Sequence, residues 1–491
     1  MLHELKTRLA EVDDLRSAAS LLHWDQATYM PAQGASARGR QLATLSQLAH
    51  EKFTAPRLGE LLDGLRSLES DPESDDAALI RVTRRQYEKA IRIPAEFEAK
   101  FSAHTAQIYE EWARARPAND FAAIRPLLEK SLDFSRELAS FFPHEHIADP
   151  LIDFSDEGMK AQSVRALFSA LRAQLVPLVE EVTARPPADD TFLRGHFAEE
   201  KQEEFANSIV RAIGYDFERG RMDTTHHPFM TKFSLGDVRI TTRARENDPT
   251  ELIFGALHEA GHALYEQGIA RNLEATPLAS GTSSGVHESQ SRLWENLVGR
   301  SKPFWEHFYP DLQRTFPEQL GEVSLEAFVA GINRVSRSLV RTDADELTYN
   351  LHVMIRFDLE LEMLEGNLLV ADLPEAWRAR YQSDLGLASE TDANGVLQDV
   401  HWFSGTIGGA FQGYTIGNIL SAQFFAAAER EIGDLESQIR RGQFEELREW
   451  LTRHIYRHGS KFTADEIVRR ATGEELSTAP YLAYLRGKFA A

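Results

Sequence analysis

The sequence predicts a mainly α-helical fold with one small β-hairpin or sheet, and three observations predict it. Apolar residues recur at helical spacing along nearly the whole chain. Strand-type patterning is confined to HHPFMTKFSLGDVRITTR, ahead of residue 244. No run approaches the roughly 20 apolar residues of a membrane span.

In chain order, residues 2 to 53 read as two helices around a loop, HWDQATYMPAQGASARGRQ, where Met30-Pro31 and Gly34 break the pattern. The second of these helices spans about Ala35 to Phe53. Asp71-Pro72 separates a further helix from a long one over about Ser74 to Arg116, interrupted near Pro94, and Phe121 to Phe142 follows. Pro143 to Gly158 reads as a loop, Lys160 to Thr183 as a helix ended by Pro186-Pro187, and His196 to Gly214 as the next. Phe233, Val238 and Ile240 around the Gly236-Asp237 turn give the hairpin. A strand placed just before the following helix could run past a site there and hydrogen-bond an extended peptide, or simply cap a helical lobe. Helices then read at about Val286 to Val298, Pro303 to Phe316 and Leu325 to Leu364, the last among the longest in the chain. The C-terminal third is helical with Gly-rich interruptions at 404–409 and near Gly413 and Gly417.

Length alone allows about two to four domains, but no repeat, low-complexity tract or flexible linker divides the 491 residues. The expectation is therefore a single unit, 1–491, with an N-terminal helical lobe over 1–220 and a second lobe over 221–491. Hydrophobic content of 42% and charged content of 26% are those of a soluble globular protein. A net charge of −22 argues against nucleic-acid or anionic-membrane partners. There is no cysteine, so any metal must use His, Asp, Glu or water. The N-terminal MLHELKTRLAEVDDLRS is charged throughout and lacks a signal-type apolar region, which leads us to expect a cytoplasmic protein.

The most informative stretch is Asp248 to Gly268. Asp248 is a good N-cap, Pro249 suits the first helical position, Glu251 can close a capping box, and Gly268 suits the residue after the helix. Leu252, Ile253, Leu257 and Leu264 offer apolar faces. Inside it, His258 and His262 are four apart, so both imidazoles leave one face and can share a metal ion. Glu259 stands beside that face, where a carboxylate can take a proton from a metal-activated water. This is the H-E-x-x-H arrangement; the bland alternative is an amphipathic core helix with two satisfied histidines. A third ligand is needed. Glu266 lies two turns on, about 12 Å along the axis, too far; Glu274, Glu288 and Glu295 stay open. Glu288 opens the next helix, where its alternative role is a carboxylate favoured by the helix dipole.

HEAGHALYEQG followed by HESQSRLWENLVGRS resembles the M32 metallocarboxypeptidases of the carboxypeptidase Taq type. The resemblance continues through HWDQATYMP, His227-Pro228-Phe229, Asp237-Val238-Arg239-Ile240-Thr241, VRTDADELTYNLH and Gln398-Asp399-Val400-His401-Trp402. It implies a large helical metallopeptidase, cytoplasmic and homodimeric, whose deep groove admits peptides with a free C-terminus and releases single C-terminal residues with broad specificity. By that match His258, His262 and Glu288 hold one divalent ion, Zn²⁺ with Co²⁺ as a substitute, and Glu259 is the general base. It points to Arg341 as anchor of the terminal carboxylate, with Asp343 or Asp345 as ion-pair alternatives, and to Arg239 as second choice. His401 and Tyr414 are the expected oxyanion donors, His287 a support to the ligands, and His227 either a substrate contact or a brace for the hairpin. One departure stands out: Phe411-Gln412-Gly413-Tyr414 replaces the F-P-T-Y that members often carry. The alternatives are a dipeptidyl carboxypeptidase or oligopeptide endopeptidase on a related scaffold, and a non-catalytic helical binding protein.

Overall fold

The computed structural model describes residues 1–490. Nine helices come first: α1 (Leu2–Thr28), α2 (Ala35–Phe53), α3 (Pro56–Leu65), α4 (Asp75–Arg92), α5 (Ala95–Ala118), α6 (Phe121–Ser140), α7 (Asp149–Asp153), α8 (Ala161–Thr183) and α9 (Glu199–Ala212). Their starts follow local chemistry: Ser74 accepts from the Ala77 amide ahead of α4, and Asp120 from that of Ala123 ahead of α6. α1 runs through HWDQAT, which the sequence placed in a loop; the break comes only at Tyr29 to Gly34. The expected loop before Gly158 contains the short α7.

Three strands follow, β1 (Met222–Thr224), β2 (Met230–Ser234) and β3 (Asp237–Thr242), in the order β1-β3-β2. The expected hairpin is the antiparallel pair β2–β3, with Met230 opposite Ile240 and Lys232 opposite Val238. A third strand, β1, adds in parallel on the other side of β3, with Met222 opposite Ile240. β3 is thus the central strand, and both of its edges are used. This removes the strand nearest α10 in sequence as a template for an extended peptide.

The second half contains α10 (Pro249–Gly268), α11 (Ser284–Arg292) continuing as a π-helical segment (Leu293–Val298), α12 (Lys302–Thr315), α13 (Pro317–Leu320) and α14 (Leu325–Ile332). It continues with α15 (Tyr349–Glu365), α16 (Leu373–Leu385), α17 (Gln412–Ile432), α18 (Leu435–Arg440), α19 (Glu445–His454), α20 (Ala464–Thr472) and α21 (Ala479–Phe489). The long helix expected over Leu325 to Leu364 is two helices separated by residues 333–348. Polar side chains there compete for the backbone: the Asp345 carboxylate accepts from the amides of Ser336, Leu347 and Thr348.

Packing places the site. A large core from Phe97 to Leu485 encloses α10, α11, α15 and α17. A smaller core joins α1, α3 and α4, through residues such as Leu9, Leu61 and Ile80, to Leu235, Ile269 and Leu273. The N-terminal helices therefore sit on the sheet and on the turn that follows α10. No helix among the described residues is long and apolar enough to cross a membrane.

Candidate metal centre

α10 begins as its sequence indicates: Asp248 accepts from the Thr250 amide at 3.1 Å, and Pro249 occupies the first turn. Leu252, Ile253, Leu257 and Leu264 are buried. Two expectations are corrected. Glu251 does not close a capping box but pairs with Arg243, at 2.5 Å, and with Arg245. Gly268 is the last helical residue rather than the one after it, and a side chain there would strike the ring of Tyr456.

His258 and His262 leave the same face of α10, and Glu288 reaches them from α11. One ligating atom of each lies within 4.8 Å of the others. Oε2 of Glu288 is 3.7 Å from Nε2 of His258 and 3.4 Å from Nε2 of His262. The other ring nitrogens are occupied: Nδ1 of His258 is 2.9 Å from Oε2 of Glu295, and Nδ1 of His262 is 2.6 Å from Nδ1 of His287. Both Nε2 atoms are thereby turned to the carboxylate. Two imidazole nitrogens and one carboxylate oxygen, each backed by a partner, fit a divalent ion with coordination positions left for water or substrate.

The backing extends outward in two chains. On the His262 side, Nε2 of His287 is 2.9 Å from Oε1 of Glu266, and Lys232 donates to Oε2 of Glu266 at 2.8 Å. With His262 Nε2 free to ligate, its Nδ1–H donates to His287, whose Nε2–H then donates to Glu266. Glu266 is too distant to ligate, as expected, yet it holds the residue that holds a ligand. On the other side, Arg292 donates to Glu288 at 2.7 Å and to Glu295 at 3.1 Å. Glu274 is excluded from the site, since it accepts from the Leu235 amide.

The electrostatics suit metal binding. Burial lowers the His262 imidazole to about 4, so it is neutral at pH 7. Burial works against ionisation of Glu288, but Arg292 and the two histidines outweigh it and hold the carboxyl well below its ordinary value. Glu295 and Glu266 are each held down to about 2, against burial, by Arg292 with His258 and by Lys232 with His287 respectively. Glu259, 7% exposed, differs. Burial raises its carboxyl to about 7, with Glu288 and Glu295 adding to the shift and His258 opposing it. A carboxyl balanced there can take up and return a proton near neutrality.

A second group of predicted residues meets on α17 and the short 3₁₀ turn His401–Phe403. Nε2 of His401 is 3.1 Å from the Tyr414 hydroxyl, and its Nδ1 is 2.5 Å from Oδ1 of Asp399. Burial raises the Tyr414 phenol above its ordinary value, so it keeps its proton to donate. α17 is pressed onto α11: a Cβ at Gly417, one turn after Tyr414, would strike the Glu288 side chain. Arg341 is buried, and its partner is Asp399 at 2.6 Å rather than Asp343 or Asp345. It also donates to the Tyr349 hydroxyl at 3.0 Å. Its other terminal nitrogen lies 3.5 Å from Oδ1 of Asp399, so of the five N–H groups one on each terminal nitrogen is left for another acceptor. Tyr349 closes the circuit, since the Arg292 guanidinium lies 4.8 Å from its ring centroid. Arg356 donates to the same Asp399 oxygen at 2.9 Å.

Arg239 and His227 are placed by the sheet. Arg239 grips Asp237 with two hydrogen bonds of 2.8 Å and lies between Trp24 and Phe233, at 4.4 and 4.9 Å from their centroids. It joins the HWDQ segment of α1 to the sheet. His227 is exposed on the segment between β1 and β2. Sequence reasoning did not assign Asp399, Arg292, Lys232 or the supporting roles of Glu295 and Glu266. The signals were the two-residue spacing of Asp399 and His401 and the i, i+4 pair Glu288–Arg292.

Comparison with known proteins agrees with this construction. The profile of the Carboxypeptidase Taq (M32) metallopeptidases matches residues 4–489. A thermostable carboxypeptidase 1 of Thermus thermophilus is 42% identical over 490 residues, covering 97% of this chain and 96% of that one. Carboxypeptidase 1 of Bacillus subtilis is 36% identical, with 98% and 96% covered. The crystal structure of an M32 carboxypeptidase from Deinococcus radiodurans superposes with a TM-score of 0.96 at 51% identity, covering 99% of this chain and 98% of that one. With a helical fold, a His-His-Glu cluster on α10 and α11 and a family match along its length, the chain belongs to the M32 metallocarboxypeptidases, which are metal-dependent peptide hydrolases.

Proposed function

We propose that the protein removes single residues from the free C-termini of peptides, with a divalent ion held by His258, His262 and Glu288 and with Glu259 as general base. The observation that carries this reading is the convergence of two Nε2 atoms and one carboxylate oxygen within 4.8 Å, with the buried Glu259 beside them. When bound, the ion supplies Lewis acidity to the last peptide carbonyl and to the attacking water. Glu259 takes the water proton on its carboxylate and passes it to the leaving amine. The Tyr414 hydroxyl and His401 donate hydrogen bonds to the oxyanion as it develops. Arg341, kept charged by Tyr349 and Asp399 against burial, offers its two remaining N–H groups to the terminal carboxylate.

The same reading takes Zn²⁺ as the ion, with Co²⁺ able to replace it, and a broad choice of C-terminal residue. It includes a single peptidase unit acting as a cytoplasmic homodimer, with Arg239 and His227 bounding the groove. These rest on the motif resemblance. The test is mass spectrometry of a peptide of about ten residues with and without C-terminal amidation. A ladder shortening by one residue, and abolished by the amide, supports the reading. Loss of dipeptides or internal cleavage would keep the metal centre and overturn the exopeptidase assignment.

A further inference from the structure

One buried carboxylate outside the metal centre ties two helix starts together. Asp156 is fully buried in the turn after α7. Its Oδ1 accepts from the Gly285 amide at 2.8 Å; its Oδ2 accepts from Ser284 Oγ at 2.7 Å, Gln412 Nε2 at 2.9 Å and Ser155 Oγ at 3.1 Å. Ser284 and Gly285 open α11, which carries Glu288. Gln412 opens α17, which carries Tyr414. The negative charge thus faces the positive ends of both helices at once. The neighbouring Ser155 repeats the tie, since its carbonyl accepts from the Ser284 amide at 2.8 Å and its hydroxyl from Gln412 at 2.9 Å.

Gln412 is itself fully buried, and its amide nitrogen also lies 3.0 Å from the Gly409 carbonyl oxygen, so its two N–H groups are shared among the Asp156, Ser155 and Gly409 oxygens. The carboxylate and carbonyl acceptors fix which end of the side chain is the nitrogen. At the next residue the helices come into contact, because a Cβ at Gly413 would run into Ser284 Oγ. The following residue is Tyr414. The place of its phenol relative to Glu288 is therefore set within one helical turn of this junction.

We propose that Asp156 and Gln412 are positioning residues for the reaction, a clamp that sets the Tyr414 hydroxyl against the metal ligands. The inference rests on the reading of Tyr414 as an oxyanion donor. Donors of that kind act only when aimed at the charge that develops in the transition state, and a displacement of about 1 Å costs about 10²-fold. α10, with His258 and His262, does not pass through the clamp, and Asp156 keeps its bonds to Ser284 and Gly285 of α11 when Gln412 is lost, so loss of the Gln412 tie leaves metal binding in place.

The test is a double-mutant cycle on the zinc-loaded enzyme with an unblocked peptide, comparing Gln412→Leu, Tyr414→Phe and the pair. The expected result is a fall in kcat of about 10–100-fold for Gln412→Leu, with KM and zinc affinity within about twofold of wild type. The pair should be no slower than Tyr414→Phe alone. A Gln412→Leu enzyme with wild-type kcat beside an impaired Tyr414→Phe overturns the clamp, as do losses that simply multiply. Wild-type kcat in Tyr414→Phe overturns the oxyanion role and the clamp with it. Should Gln412→Leu fail to fold, Gly413→Ala approaches the same junction by crowding. Its kcat should fall by about 10–100-fold with zinc still bound, although every hydrogen bond of the junction keeps its partners; a wild-type kcat overturns the clamp.

Discussion

Nδ1 of His401 stands 2.5 Å from Oδ1 of Asp399, and the other nitrogen of the ring faces the Tyr414 hydroxyl at 3.1 Å. The carboxylate therefore fixes the direction of the imidazole. The same carboxylate neutralises Arg341 and Arg356. Burial would raise its pKa, but the His401 hydrogen bond and the two guanidinium groups hold it well below the ordinary carboxylate range.

Asp399→Asn keeps the shape and removes the charge. We expect kcat to fall about 10²-fold through misdirection of His401. Stability should fall by about 3–5 kcal/mol, because two buried guanidinium groups lose their counter-ion. Steady-state kinetics and denaturant unfolding measure the two effects separately.

The backing of the ligands gives a second expectation. Glu295→Gln weakens the acceptor on His258 Nδ1, and Glu266→Gln weakens the one that orients His287 and, through it, His262. Each should loosen metal binding by about 10–100-fold, read by competition with a chelator of known affinity. Unchanged affinity in both would mean that these carboxylates serve the fold alone.

A third concerns pH. Glu360 is buried behind Trp402, whose indole N–H donates to it at 2.7 Å. Burial raises its carboxyl to about 8. Folding thus favours the protonated form, and the stabilisation is complete below the ordinary value of 4.5 and lost as pH rises toward about 8. Between those values, wild type should lose up to about 1.4 kcal/mol per pH unit relative to Glu360→Gln. Parallel unfolding midpoints for the two proteins at pH 5, about 6.5 and about 8 would contradict it.

The parts legible in the sequence were those written locally. Asp248 and Pro249 start α10, and the four-residue spacing of His258 and His262 needs only helical geometry. Much of the rest depends on partners far along the chain. Glu251 had a helical neighbour to cap but found Arg243 and Arg245 instead. β1 is three residues long, and only pairing with β3 identifies it as a strand. Residues 333–348 carry helical periodicity, but Asp345 draws their amides away from a helix. Asp399, 58 residues from Arg341, could be recognised as its partner only in three dimensions. The Gln412-Gly413 departure likewise acquires meaning only beside Asp156 and Ser284.

The most direct test is the rate of C-terminal residue release by Glu259→Gln with its metal content measured in the same preparation. If Glu259 is the general base beside a His258–His262–Glu288 metal centre, the variant binds one ion per chain with near wild-type affinity and loses at least about 10²-fold in rate. A variant that holds its metal and hydrolyses peptide at the wild-type rate would contradict that role.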